Sequence, residues 1–578
     1  MNLRFAFIIL GSAHTAQRSV ARETSYLRRT SMSIGSSQIN VTDDGDPQNE
    51  AEIIFNGINR CGSWEGIGNP IYGTSDYEYS GSALASSADG RTVAIGAPYN
   101  SDTAIQQGAV RVHKFKEFSN SWEQIGGDIT GIDRKELLGA SLALSADGKI
   151  IAIGSTGHNG DQKETGRVKV YKYIWSTDTW EKYGNWIFGS QKGEKFGFDV
   201  ALSSDGHTLA VSSLGAGLKT ATTVYELNER WKQVSDRIEE ENGGGVVGGV
   251  SISLSNNGQV LAIGNRQSKT KGFDSGHVRI FAPSADSSSW SQLGSTIYGN
   301  EGDNLGASIS LTGDGLTVAI GGDGFDNNRG SVQVFSFDVI IQDWKRKGPI
   351  ILGESKGSLA GTSVSISSNG DIVAVGAIGT DRHGDESGYT TLFTFAGGME
   401  EWVRVGDNIN GKKKNDYLGG KVALSDDGST LIVAAPFSSM EGMYSGLTRI
   451  FEFITSETCS PTVSPTSRPT PSPSKEPTRR PTFLPTELPT GKPSTSPTAM
   501  PSVSVHPSQA PSEHPSQSSA PTVVPTAQSS VSPSMSPSIS HRPTRIPTPS
   551  PSKSPTSSPT SRYEAYNQLW NFMNGLFR

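Results

Sequence analysis

One phrase recurs along this chain, and its spacing limits the fold more than any other feature. Leu144–Gly154 reads LSADGKIIAIG, an Asp-Gly pair flanked by apolar runs, the strongest short-range hairpin signal. Variants end at Gly96 (SSADGRTVAIG), Ser212 (LSSDGHTLAVS), Gly264 (LSNNGQVLAIG), Gly321 (LTGDGLTVAIG), Gly376 (ISSNGDIVAVG) and Ala434 (LSDDGSTLIVA). The turn glycines are Gly90, Gly148, Gly206, Gly258, Gly315, Gly370 and Gly428, in steps of 58, 58, 52, 57, 55 and 58 residues. A near-constant period of this length marks an array of supersecondary units.

Each unit contains four strand-like pieces. A run of small and apolar residues (LGASLALS, Leu138–Ser145) precedes the turn, and KIIAIG follows it. GRVKVYKY (Gly166–Tyr173) alternates with period two, and WEKYGNWIFG (Trp180–Gly189) opens on tryptophan. With four strands per unit and no helical period, the units predict sheets that cannot bury both faces alone and must pack on one another. A ring of such blades leaves only short edges exposed. The first strands GSALAS, GFDVALS, GVSISLS, GASISLT, GTSVSIS and GGKVALS are rich in Gly, Ala and Ser, as strands crowded around an axis require. Trp64, Trp122, Trp180, Trp231, Trp290, Trp344 and Trp402 then fall on outer strands, where diverging blades need bulk. The expected fold is an all-β, seven-bladed β-propeller of four-stranded antiparallel blades, with a β-solenoid or paired β-sandwiches as alternatives.

The FG…LSSDG…LAV pattern around Phe196, and AIGAP (Ala94–Pro98) followed by GAVRVHKF, resemble the FG-GAP repeats of integrin-α-type propellers. The resemblance extends from residue 64 to about 453. Calcium-loaded members of that family carry an Asp-rich loop in the first hairpin. Here the turns read SADG, SSDG, SNNG or TGDG and supply one or two carboxylates, whereas Ca²⁺ takes six to eight oxygens. They are therefore read as type I′ hairpin turns with no cofactor, and a calcium ladder is the alternative.

The order of pieces leaves a remainder at each end. The first recognisable strand is the Trp strand WEGIGNPIYG (Trp64–Gly73), and the last is a third strand, GLTRIFEF (Gly446–Phe453). The N-terminal strand is thus expected to complete the last blade and clasp the ring. The chain's two cysteines, Cys61 and Cys459, flank these strands. A disulfide between them would stabilise the ring by roughly 3–5 kcal/mol in the chain-entropy model and would require an oxidising compartment.

Composition divides the chain further. Residues 61–460, the propeller, carry 34 Lys+Arg against 47 Asp+Glu, a balance opposed to nucleic-acid binding. Of 31 prolines, 25 lie between Pro461 and Pro559, at every fourth position as far as Pro501. Residues 461–562 therefore read as an extended Pro/Ser/Thr stalk of mucin-like, O-glycosylated type, or as a plain disordered linker. Residues 1–25 suit a secretory signal or an organelle transit peptide, and residues 26–60 form a low-order linker carrying the sequon at Asn40. In residues 563–578, Tyr566, Leu569, Trp570, Met573 and Phe577 share one helical face, which suits weak docking on a membrane or partner. No apolar run reaches the ~18–20 residues that span a bilayer.

Chemistry is expected on the face formed by the loops between second and third strands and between successive blades. Asp381, His383, Asp385 and Glu386 form the densest group of candidate ligand contacts, followed by Asp323 and Asp326. The propeller histidines show no repeated ligand spacing, and neither a G-x-S-x-G elbow nor a P-loop is present. These features together predict a secreted or cell-surface binding and adhesion protein, non-enzymatic, whose loop face recognises a matrix carbohydrate or protein. The alternatives are a secreted propeller enzyme acting on polysaccharides and an intracellular propeller scaffold.

Overall fold

The computed structural model describes residues 62–455 except 161–162, 215–218, 242–249, 285–288 and 380–385. Cys61, Cys459, Asn40 and the terminal segments lie outside the described residues. The strands assemble into seven antiparallel sheets. Blade 1 comprises Ala83–Ser86, Thr92–Ala97, Ala109–Lys116 and an outer strand in two pieces, Ser121–Gln124 and Ile129–Thr130. Both pieces pair with the third strand, through Phe115↔Trp122 and Val110↔Ile129. The interruption falls at Gly126, whose φ is +65°. Blades 2 to 6 repeat this order, beginning at Leu138, Val200, Val250, Leu305 and Ala360. Blade 7 comprises Lys421–Leu424, Thr430–Ala435 and Leu447–Thr455, with Gly62–Gly66 and Ile71–Tyr72 as its outer edge. The fold is thus the expected seven-bladed propeller.

Contacts between neighbouring blades account for its cohesion. Apolar clusters sit between consecutive sheets: Val110 and Val112 of blade 1 pack with Leu142, Ile151 and Ile153 of blade 2. Val93 and Ile95 of blade 1 pack with Ile432 and Ile450 of blade 7. Each such side chain contributes about 1.5–3 kcal/mol when fully buried. Nearer the axis the blades are too close for side chains. A Cβ on Gly96 would lie 2.3 Å from the Gly139 carbonyl oxygen, and one on Gly154 would lie 2.2 Å from that of Gly197. At the periphery the tryptophans latch one blade to the previous one. The indole N–H of Trp122 donates to the Ile67 carbonyl at 3.0 Å, and that of Trp180 to Ile125 at 3.1 Å. The same indole lies against the glycine that interrupts the preceding outer strand. A Cβ on Gly126 would come within 2.7 Å of Trp180.

The hairpin turns depart from the expected type. In each of the seven, only the glycine has positive φ, from +68° at Gly90 to +75° at Gly206, whereas type I′ requires positive φ at both central residues. The Gly148 N–H bonds the Ser145 carbonyl at 2.9 Å. The turn is therefore type I closed by a left-handed glycine. The Asp147 carboxylate accepts the Ser145 hydroxyl at 2.7 Å and the Lys149 N–H at 3.0 Å. These bonds outweigh burial, which pushes the other way, and hold its pKa below the usual range.

The residues two before the turn glycines form a ring of their own. Ala88 N–H bonds Ala146, Ala146 bonds Ser204, Ser204 bonds Asn256, Asn256 bonds Gly313, Gly313 bonds Ser368, Ser368 bonds Asp426 and Asp426 returns to Ala88. All seven distances fall between 2.7 and 3.0 Å. Across this ring the Asn256 amide reaches Ser368 at 3.3 Å and Asp426 at 3.4 Å, so polar side chains span the axis at the turn end. Closure through the N-terminal strand is direct, with Trp64↔Phe453 in register and Ile67 N–H on the Ile450 carbonyl at 3.0 Å.

Candidate binding face and axial funnel

The two sets of loops named from the sequence meet on the face opposite the turns. Isolated bridges join the start of a third strand to the loop entering the next blade, as in Gly166↔Phe196 and Gly388↔Leu418. A carboxylate organises several of these entry loops. Glu136 is fully buried and accepts the N–H groups of Ile132 and Asp133 at 2.6 and 3.1 Å. Its other oxygen meets Arg167 at 2.6 Å and Lys169 at 2.8 Å. Burial raises the Glu136 pKa, but the two cations overcome that and bring it to about 2. Glu78 bonds Thr74 N–H and Arg111, and Glu194 bonds Ser190 N–H and Arg237, in the same manner. Asp416 accepts the N–H groups of Lys412 and Lys413. The residue after each carboxylate is left-handed: φ is +53° at Tyr79, +55° at Leu137, +50° at Lys195 and +53° at Tyr417. Such residues cost roughly 1–2 kcal/mol each, so the buried carboxylate bonds hold these loops against their intrinsic preference.

Inside this rim a funnel of about 230 Å³ descends along the axis. Its mouth is formed by residues that follow the second strands, including Pro98 and Tyr99 of blade 1, Arg266 of blade 4, Asp323 of blade 5 and Phe437 of blade 7. Its two sides differ. On the side of blades 7 and 1, Tyr79 packs against Tyr99 at 5.3 Å and Phe437 at 5.2 Å, and stacks on Tyr444 at 5.9 Å. Tyr77, 49 % exposed, continues this aromatic surface outward from Tyr444 at 5.8 Å. Burial pushes the Tyr79 hydroxyl up to about 12, so it remains a neutral donor. On the opposite side, across blades 4 and 5, Arg266 pairs with Asp323 at 3.0 Å, and Asn304 donates to the same carboxylate at 2.9 Å.

Deeper in, the first strands place one residue each at the register position of Ala83, Ser141, Asp199, Ser251, Ser308, Ser363 and Lys421. The hydroxyls staple blade to blade: Ser141 donates to Gly197, Ser251 to Gly306 and Ser308 to Gly361, at 2.8–2.9 Å. Ser363 instead accepts Val422 N–H at 3.0 Å. Asp199 does the same with Ile252 N–H at 2.9 Å, and its other oxygen accepts Val200 N–H. Burial dominates the Asp199 carboxyl and lifts its pKa to about 6, against the lowering effect of Ile252 N–H and of Lys421. Lys421 has an exposed side chain that lines the funnel. Among the described residues it forms no hydrogen bond or close ion pair.

Of the residues singled out from sequence, Asp381, His383 and Asp385 lie outside the described residues. Glu386 occupies a turn and accepts the Tyr417 hydroxyl. Asp323 is fully buried in the funnel wall. Asp326 is not brought into the funnel lining; it is left-handed at φ +46°, with Lys356 3.8 Å away. Asp199, Lys421, Tyr99 and Phe437 escaped the sequence reading. Their signal lay in comparing the repeats column by column: two charges stand where the other copies have Ala or Ser, and Pro98-Tyr99 matches Pro436-Phe437.

Both funnel carboxylates are already held by hydrogen-bond partners, Asp323 by Arg266 and Asn304, Asp199 by two N–H groups. The fold defines the class as a seven-bladed β-propeller. No protein-family model matches the chain, and no curated protein matches it. No helix among the described residues is long and apolar enough to cross a membrane.

Proposed function

We propose that this protein is a secreted or cell-surface binding protein whose loop face recognises an extracellular carbohydrate. The observation that carries the reading is the two-sided funnel: the half-buried Tyr99 ring, backed by Tyr79 and the buried Phe437, opposes the Arg266–Asp323 pair across the axis. A sugar ring has apolar C–H faces and a hydroxyl edge, and it needs both kinds of wall. Aromatic side chains supply the stacking surface, and a few fixed polar groups set orientation. The likeness of the repeats to integrin-α-type FG-GAP propellers and the Pro/Ser/Thr stalk support an extracellular adhesive role. Cysteines beside the closing strands support it as well. A matrix protein ligand is the second outcome to test for.

The test is a glycan and matrix-protein array probed with the full chain and with Tyr99→Ala. Binding to a glycan class that falls about tenfold or more in the variant, as expected of an aromatic anchor, supports the reading. Binding unaffected by Tyr99→Ala, or confined to proteins, overturns it. Substitution of Asp381 and Asp385 by Ala forms a separate arm, which reads whether that loop extends the contact.

A further inference from the structure

Lys421 makes no bond that folding requires, although its charge acts on the Asp199 carboxyl in the same funnel and lowers its pKa. At the equivalent position, Ser141, Ser251, Ser308 and Ser363 each tie their blade to the next, Asp199 does so through Ile252, and Ala83 carries no group that could. A lysine cannot accept a backbone N–H. Among the described residues its ammonium ties blade 7 to nothing, although the junction with blade 1 is where the ring closes. It lines the funnel on the same side as Phe437 and Tyr99. The loop entering the same blade exposes Lys412 and Lys413, whose backbone N–H groups are fixed by Asp416. These lysines stand on a loop face that also exposes Asp76, Asp102 and Glu441, so the positive charge particular to this side of the funnel is Lys421 itself. The opposite wall offers no such charge, because the Arg266 guanidinium faces Asp323.

From this arrangement we infer that the funnel receives the terminal residue of an acidic glycan, a uronate, with its carboxylate on the Lys421 ammonium and its ring against Tyr99. This rests on the carbohydrate reading above and names the sugar class. Two further observations narrow it to a chain end bearing one carboxylate. The cavity of about 230 Å³ is small for an extended ligand, since drug-sized pockets run from about 300 Å³ upward. The propeller carries 47 acidic against 34 basic residues, and a polyanion lying across it would meet net repulsion. The recognition is thus local: one ammonium in the funnel meets one carboxylate.

The experiment titrates the full chain with a uronic-acid oligosaccharide and with its carboxyl-reduced counterpart of the same linkage, by calorimetry. The acid form is expected to bind about tenfold more tightly, an ordinary value for one partly desolvated charge pair. Lys421→Met should abolish the preference, so that the acid and reduced forms bind equally, while Lys421→Arg keeps it. Unchanged circular dichroism in both variants shows that the ring is intact. Equal binding of the two oligosaccharides, or a preference that survives Lys421→Met, overturns the inference and leaves the carbohydrate reading standing. Binding of neither, with no other glycan bound on the array, overturns both.

Discussion

Asp199 shows what a single half-buried carboxylate does to the molecule around it. It takes a serine's place in the axial ring and performs the serine's task, accepting Ile252 N–H, but it brings a charge into the interior. Its pKa rises from 3.8 to about 6, chiefly through burial. The sign follows from linkage. Below pH 3.8 the carboxyl is protonated in both states and contributes nothing. Between 3.8 and about 6 the unfolded chain releases its proton first, so stability falls as pH rises, and above about 6 the full penalty remains. At ~1.4 kcal/mol per unit, an upper bound is about 3 kcal/mol, lessened by water in the funnel. Asp199→Ser, which can reproduce the Ser363–Val422 bond, should therefore stabilise the protein by about 1–3 kcal/mol at pH 7.5 and by almost nothing at pH 3.5. Denaturant unfolding of both proteins at the two pH values checks it, and an equal gap at both would mean that Asp199 is not held in a charge-excluding site. Neither Asp199 nor Lys421 stood out in the linear sequence. GFDVALS and GGKVALS read simply as small-residue strands, and only the sheet register shows that their charges share one ring.

In five of the seven blades, among the described residues, the outer strand is held by an indole bond and by a glycine that admits the indole. The tryptophans were legible because their spacing follows the repeat. Their role as latches was not, because the acceptor belongs to the preceding unit: Trp231 bonds Tyr183, Trp344 bonds Leu293 and Trp402 bonds Lys347. Trp64 differs, for its buried Nε1 has no hydrogen-bond partner among the described residues, although its ring packs on Phe453 at 5.2 Å. Replacement by phenylalanine removes similar bulk at either site but removes a hydrogen bond only where one exists. Trp180→Phe should then cost about 1 kcal/mol more than Trp64→Phe, the net worth of one bond of this kind. Equal losses in paired urea titrations would place the latch energy in packing alone. The hairpin turns were misread for a related reason. Asp-Gly serves type I′ and also type I followed by a left-handed glycine, and the four residues between Ser145 and Ile150 fix the second.

At the scale of the whole molecule, the ring has a seam only because the chain has ends. Gly62 and Thr455 are paired opposite each other in blade 7. The next pair inward, Ser63 and Ile454, corresponds in blade 1 to Lys116 and Ser121, which are joined by Glu117–Asn120. The repeat count and the unfilled Trp position made this seam legible from the sequence, since no other arrangement leaves every blade with four strands. The funnel was not legible, because it belongs to no single repeat and arises where the blades converge. If the blades are interchangeable in packing, the seam can be moved. A permutant in which a turn copied from Glu117–Asn120 joins Ile454 to Ser63, with new ends between Phe118 and Ser119, opens the ring in blade 1 instead of blade 7. Phe118 is fully exposed, and cleavage at such a tip removes no packing. The permutant is expected to be monomeric, with a midpoint within a few degrees of the native domain. A chain that begins at residue 74 should behave differently, because the unpaired edge of Leu447–Thr455 then offers its N–H and C=O groups to other molecules and drives association. Size-exclusion chromatography with light scattering separates the two results. A permutant that aggregates like the truncated chain would show that blade 7 holds the ring in a way the other blades cannot replace.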